Sequence, residues 1–238
     1  MPLAGGIMQH GYQCGMIWGA TLSAGAHAYQ CYGKEPKSEI VSVLAAQKLV
    51  ETFHNIQGNI NCLEITDLDK SSSILKMIYV FLIKGKTIGC MRLSAKYAKA
   101  AYSEINSIIS DKNIESLSLP VSCSATLARK IGLSDMHTVM ASGLAGGIGL
   151  CGGACGALGA AIWFYGMKSL NESGNKIDIK DPGGLDIIDT FLKCTDYQFE
   201  CSKIVGRKFK NISDHSEFLS KKGCTQIIET LAAKLTSK

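Results

Sequence analysis

Leu3-Ala4-Gly5-Gly6-Ile7-Met8-Gln9-His10-Gly11-Tyr12-Gln13-Cys14-Gly15 returns later in the same chain as Leu144-Ala145-Gly146-Gly147-Ile148-Gly149-Leu150-Cys151-Gly152-Gly153-Ala154-Cys155-Gly156. Eight of the thirteen positions are identical, at a constant offset of 141. Repetition of this kind implies a duplicated structural unit, and the repeated cysteine implies a duplicated chemical site. The downstream cysteines keep the same order. Cys62 and Cys90 follow Cys14 at spacings of 48 and 28, and Cys201 and Cys224 follow Cys155 at 46 and 23. Thr52-Phe53 precedes Cys62 as Thr190-Phe191 precedes Cys201, and Gly89-Cys90 matches Gly223-Cys224. The chain therefore reads as two related units, residues 1–111 and 112–238, each near the common domain size of about 100–150 residues. Only the second has an upstream cysteine, Cys123, which completes the set Cys123, Cys155, Cys201 and Cys224.

Outside the repeats the apolar residues fall near helical spacing, as in Ile40, Val43, Leu44 and Val50, or Ile227, Ile228, Leu231 and Leu235. Asp181-Pro182-Gly183-Gly184 is a turn that launches a helix carrying Phe191 and Cys194. Ser38-Glu39 and Asp189-Thr190 are further candidate helix starts. Met77–Ile83 is β-branched and aromatic and predicts a strand, with a buried helical turn as the alternative. The expected fold class is mainly α: two related helical-bundle units from an internal duplication, each with a Gly-rich loop leading into a helix.

The net charge of +5 is mild, and no basic stripe with interleaved aromatics is present, so no nucleic-acid partner is expected. A positive surface suits an acidic redox partner. No secretory signal is evident, which makes the expected compartment the cytoplasm and turns ten cysteines toward metal or redox chemistry rather than disulfides. Residues 138–167 carry no charge, and residues 1–33 carry only His10 and His27. Both stretches are long enough to span a bilayer. They are rich in Gly, Ala, Ser and Gln rather than Leu, Ile and Val, so buried helices are expected and a membrane partner is not.

Four converging thiolates suit zinc or an iron–sulfur cluster. The spacings match neither the paired knuckles of a zinc ribbon nor the close runs of ferredoxins. The opposing reading is that the thiols are simply buried, as free cysteines often are. Cys151 and Cys155 form C-x-x-x-C, one helical turn apart, and His10 occupies the position matching Cys151, so both are second-tier ligand candidates. Cys31 and Cys194 have no counterparts and read as packing thiols. His27, His54, His137 and His215 read as structural or exposed. Gly147–Gly152 satisfies G-x-G-x-x-G, but no strand fits before its counterpart at Leu3, which argues against dinucleotide binding.

Gly153-Ala154-Cys155-Gly156-Ala157-Leu158-Gly159-Ala160, with Cys123 upstream and Cys201 and Cys224 downstream, resembles the redox-active protein family named for its motif C…GCAxxG…C…C. The second unit is covered nearly end to end. The first matches at Cys14-Gly15-Met16-Ile17-Trp18-Gly19, Cys62 and Cys90, and lacks the first cysteine. The family is similar to the cluster-bearing part of split-Soret cytochromes. The resemblance implies an iron–sulfur redox or electron-transfer protein whose [2Fe-2S] or [4Fe-4S] cluster is held by Cys123, Cys155, Cys201 and Cys224. Gly152, Gly153 and Gly156 would let backbone N–H groups approach it. In the first unit Cys14, Cys62 and Cys90 lack a fourth ligand: either His10 or a homodimer partner supplies it, or the first site is degenerate. The alternatives are a metal-free thiol–disulfide enzyme or sensor, a structural zinc scaffold, and a membrane subunit of a redox complex. Whether the chain is an oxidoreductase or an electron-transfer component stays open.

Overall fold

A computed structural model describes residues 2–111, 114, 121–173 and 180–237. The first half contributes α1 (Gly15–Tyr32), α2 (Pro36–Gln57), α3 (Cys62–Thr66), α4 (Ile74–Ile78), a π-helical turn (Tyr79–Ile83) and α5 (Lys86–Ile109). The second contributes α6 (Cys123–Lys130), α7 (Asp135–Ser142), α8 (Gly156–Ser173), α9 (Pro182–Cys194), α10 (Cys201–Val205), α11 (Ile212–Ser220) and α12 (Thr225–Thr236). No strand occurs among the described residues, and the mainly helical class holds. Met77–Ile83, expected as a strand, is helical instead. Its Ile, Tyr, Val and Phe content favours a strand only where a partner ladder exists, and none is present among the described residues. Asp189-Thr190 lies inside α9, whose start is Asp181; that carboxylate accepts from Gly184 N at 2.9 Å. No helix among the described residues is long and apolar enough to cross a membrane.

The repeated segments fold alike. Gly5–Gln9 and Gly146–Leu150 each place five consecutive residues at positive φ, between 46° and 75° and between 55° and 80°. Such a run is a turn of left-handed helix, a conformation that costs about 1–2 kcal/mol per non-glycine residue. Its hydrogen bonds match one for one. Met8 N donates to Pro2 O (2.8 Å) and Gly149 N to Gly143 O (2.9 Å). Gln9 N donates to Ala4 O (3.2 Å) and Leu150 N to Ala145 O (2.9 Å), while Gly11 N reaches Gly5 O and Gly152 N reaches Gly146 O, both at 2.9 Å. Burial offsets the strain: Ile7, Met8 and Ile148 are at most 1% exposed.

The two halves share one core, because each left-handed turn packs on the other half. A side chain at Gly149 would lie 2.5 Å from Gln47 N in α2, and one at Gly184 in α9 would lie 2.7 Å from Met8 Sδ. Trp18 of α1 fills the space left by Gly159 in α8, and its indole N–H donates to Gln13 O at 3.0 Å. Gln13, fully buried, spans the halves: Nε2 donates to Gly147 O at 2.9 Å and Oε1 accepts from Ala154 N at 3.0 Å. The buried carboxylate of Glu39 in α2 is paired with Arg129 of α6.

Gly147→Ala should separate strain from crowding. Gly147 has φ +80°, and a Cβ there would meet Gly153 O at 2.6 Å, whereas Gly132, at φ +74°, has open space. Gly132→Ala should cost about 1 kcal/mol and Gly147→Ala more than about 2 kcal/mol. Denaturant midpoints measure both, and equal losses would contradict the packing described.

Candidate functional site

The left-handed turns lead directly into the cysteines. Residue 13 pairs antiparallel with Asn61, and residue 154 with Glu200, each as a single bridge. Cys14 N donates to Ile60 O at 2.8 Å and Cys62 N to Tyr12 O at 2.7 Å. Cys155 N donates to Phe199 O at 2.9 Å and Cys201 N to Gly153 O at 2.7 Å. The bridge therefore places the cysteine ahead of the long helix, α1 or α8, beside the one that opens the short helix, α3 or α10. Cys90 joins from within α5, and Cys224 from the residue capping α12.

In the second half the thiols form one electrostatic neighbourhood. Cys201 is pushed well above the ordinary thiol range by burial and then by the charges of Cys155, Cys123, Cys224 and Cys151. Burial and the charge of Cys123 push Cys155 up to about 12. Cys224 moves the same way, through burial and then Cys123 and Cys155. Backbone N–H groups of Ala157 and Leu158, in the first turn of α8, counter part of this at Cys155. In the first half, burial, with smaller contributions from Cys62 and Cys90, raises Cys14 to about 11. All ten cysteines are free thiols.

Convergence is not the same as closure on one point. Among the described residues, no three His, Cys, Asp or Glu side chains are set to hold a single metal ion. Cys151 lies in the irregular segment before α8, so it shares no helix face with Cys155; its Sγ donates to Gly147 O at 2.6 Å. His10 stacks on Phe199 and both its ring nitrogens are engaged, Nδ1 with Ile7 O at 2.9 Å and Nε2 with Lys70 Nζ at 3.1 Å. The three glycines expected to lie beside a cofactor are also sites of close packing. The space a Cβ would take is filled by Lys208 and Ser202 at Gly152, by Gln13 at Gly153 and by the Leu144 carbonyl at Gly156.

The residue that sequence reading missed is His215. It is 1% exposed, on α11, and its Nδ1–H donates to Val121 O at 3.0 Å. That bond leaves Nε2 buried with no hydrogen bond of ordinary length and angle, close to Cys123. Burial alone would raise Cys123 and lower His215. The close approach and charge of His215, helped by Gly146 N–H, reverse both: Cys123 is brought below the ordinary thiol range and His215 is raised. A histidine fixed through Nδ1 to a backbone carbonyl, with Nε2 turned to a sulfur site, is the arrangement that orients imidazoles around metals and thiolates. Only the 92-residue separation of the pair hid it, since nothing local marks His215.

Residues 121–238 match the sequence model of the family described as "Putative redox-active protein (C_GCAxxG_C_C)". This half of the chain belongs to that family. Its four-cysteine pattern is the set that the fold gathers, and family membership carries a redox role. No curated protein and no solved structure matches the chain.

The Cys123–His215 pair is directly testable. Titrating the reduced, metal-free chain by thiolate ultraviolet absorbance should show one thiolate ionising below the ordinary range. His215→Gln should move that step to higher pH, and Cys123→Ser should abolish it. An unchanged curve in His215→Gln would remove His215 from the site.

Proposed function

We propose that the chain is an iron–sulfur electron-transfer protein of the cytoplasm in which Cys123, Cys155, Cys201 and Cys224 are the thiolate ligands of a cluster. The observation that carries this reading is the backbone bridge that seats Cys155 beside Cys201, with Cys123 and Cys224 near enough to oppose the ionisation of Cys201. Thiols gathered so closely ionise together only when a bound cation offsets their mutual repulsion. The donor set is all sulfur, which suits zinc and iron–sulfur clusters alike. A zinc ion needs its sulfurs about 2.3 Å from a single point. Zinc has no redox chemistry of its own, so the redox role of the family favours the cluster, in which each iron takes thiolate sulfur. Bound there, it would supply reversible one-electron chemistry.

The chain's own groups then have clear tasks. Gly146 N–H is directed at Cys123, and Ala157 and Leu158 N–H at Cys155, where they favour the thiolate forms. His215 lies beside Cys123, whose charge favours the protonated imidazole against the effect of burial. Burial of Cys123, Cys155 and Cys201, each at most 6% exposed, keeps water from the sulfurs. Cys14, Cys62 and Cys90 are the corresponding set of a second, duplicated site with three thiols.

A second reading rests on the same pair. Cys123 thiolate would attack a partner's disulfide, forming a mixed disulfide while His215 protonates the departing sulfur. At 4% exposure Cys123 offers a partner disulfide no line of approach, so this reading ranks below the first.

Anaerobic reconstitution with ferrous iron and sulfide decides between them. Visible absorption with bound iron and acid-labile sulfide is the expected result, lost in Cys155→Ser and Cys201→Ser and retained in Cys14→Ser. Stoichiometric zinc in a colourless protein supports the zinc scaffold. Metal-free protein carrying ten reactive thiols ends the cluster reading.

A further inference from the structure

Ile74-Leu75-Lys76-Met77-Ile78-Tyr79-Val80-Phe81-Leu82-Ile83 is apolar at nine of ten positions, yet only Val80 among them is buried. Leu75 is 78% exposed, and Leu82 and Ile83 are each 73% exposed. Ile88 and Met91 extend the same surface onto the start of α5, at 57% and 67%. Soluble proteins expose large apolar side chains singly; a contiguous ridge marks an interaction surface. The corresponding element of the second half, α11, shows the contrast, since it buries Ile212, His215 and Leu219.

Charge identifies the occupant. Residues 67–99 hold seven basic side chains and two acidic ones, a net +5 that equals the +5 of the whole chain, so the remaining residues sum to zero. Lys76 and Lys84 sit within and at the end of the ridge, with Lys84 over the Tyr79 ring at 5.4 Å. Arg92, Lys96 and Lys99 continue the basic surface along the exposed side of α5. An acidic protein would satisfy the charge but leaves a ridge of Leu and Ile without a purpose. A second copy would bury the ridge but bring two +5 surfaces together. An anionic bilayer answers both demands: headgroups take the lysines, whose stems reach upward from an apolar element, and the acyl boundary takes the Leu and Ile side chains.

We propose that residues 74–91 are a peripheral anchor that seats the chain on an anionic lipid surface. Leu75, Leu82 and Ile83 enter the headgroup–acyl boundary, and the exposed Lys84, Arg92, Lys96 and Lys99 engage phosphates. Nothing here spans the bilayer. Cys90 lies between Ile88 and Met91 in sequence and neighbours Cys14 and Cys62, so the anchor places the first-half thiols next to the membrane whatever those thiols hold.

The test is co-sedimentation of the full chain with phosphatidylcholine vesicles, with and without phosphatidylglycerol. The chain should pellet with the anionic vesicles, at least about tenfold more weakly with phosphatidylcholine alone, and progressively less as salt rises. Leu82→Glu/Ile83→Glu changes only exposed side chains and should keep the helical circular dichroism while weakening vesicle binding by more than about tenfold. Lys96→Gln/Lys99→Gln should reduce the salt dependence. Wild-type chain that stays in the supernatant with both vesicles overturns the proposal. So does equal binding by wild type and Leu82→Glu/Ile83→Glu, and so does a dimer, abolished by Leu82→Glu/Ile83→Glu, in a chain that ignores vesicles.

Discussion

Two stretches of left-handed backbone set the positions of everything else in this molecule. Gly5–Gln9 and Gly146–Leu150 reverse the chain so tightly that residues 13 and 154 emerge facing Asn61 and Glu200. That single bridge seats Cys14 beside Cys62 and Cys155 beside Cys201. The conformation is costly for Ile7, Met8, Gln9, Ile148 and Leu150. It persists because it drives Ile7, Met8 and Ile148 into the shared core and turns Gly146 N–H toward Cys123. Backbone strain at a functional site is held by the packing around it, and here that packing comes from the opposite half of the chain.

The reciprocal packing explains why two repeated stretches produce one body. Gly149 lies against α2 and Met8 against α9, so neither turn has its full surroundings within its own half. Gln13 is where the two turns are joined. Its amide satisfies the buried Ala154 N and shares Gly147 O with the Cys151 thiol. An unpaired buried group of that kind costs about 1–3 kcal/mol, which makes Gln13 a joint rather than a spectator. The copy-two counterpart is Ala154, so the joint is made once and the halves are not interchangeable.

The sequence announced part of this plainly. Repeated Gly and Cys at fixed offset pointed to the turns and to the thiols, because glycine spacing and cysteine order are local properties of a string. What stayed hidden depends on distance through space. His215 looks like any helix residue until α11 packs its ring under Val121 and against Cys123. Gln13 looks like a surface amide within a Gly-rich loop. Met77–Ile83 misled for a different reason: its composition describes a strand, but composition is silent on whether a ladder exists to receive one. Gly152, Gly153 and Gly156 were legible as glycines, but not the partners that crowd them, Lys208, Gln13 and the Leu144 carbonyl.

The two halves also differ in how they meet negative charge on sulfur. A buried thiolate is stable only if donors or cations replace the water it has lost. Around Cys123 and Cys155 the fold supplies Gly146, Ala157 and Leu158 N–H and the imidazole of His215. Beside Cys14 it supplies Met16 N–H, with the Tyr97 phenol near but committed to Leu49 O at 3.1 Å. His10, the one imidazole that the repeat offered to the first half, is held by Ile7 O and Lys70. Equal backbone geometry therefore yields unequal electrostatics. The second half gathers the fourth thiol together with an imidazole that favours the Cys123 thiolate, while burial and mutual charge keep Cys155, Cys201 and Cys224 toward the thiol form.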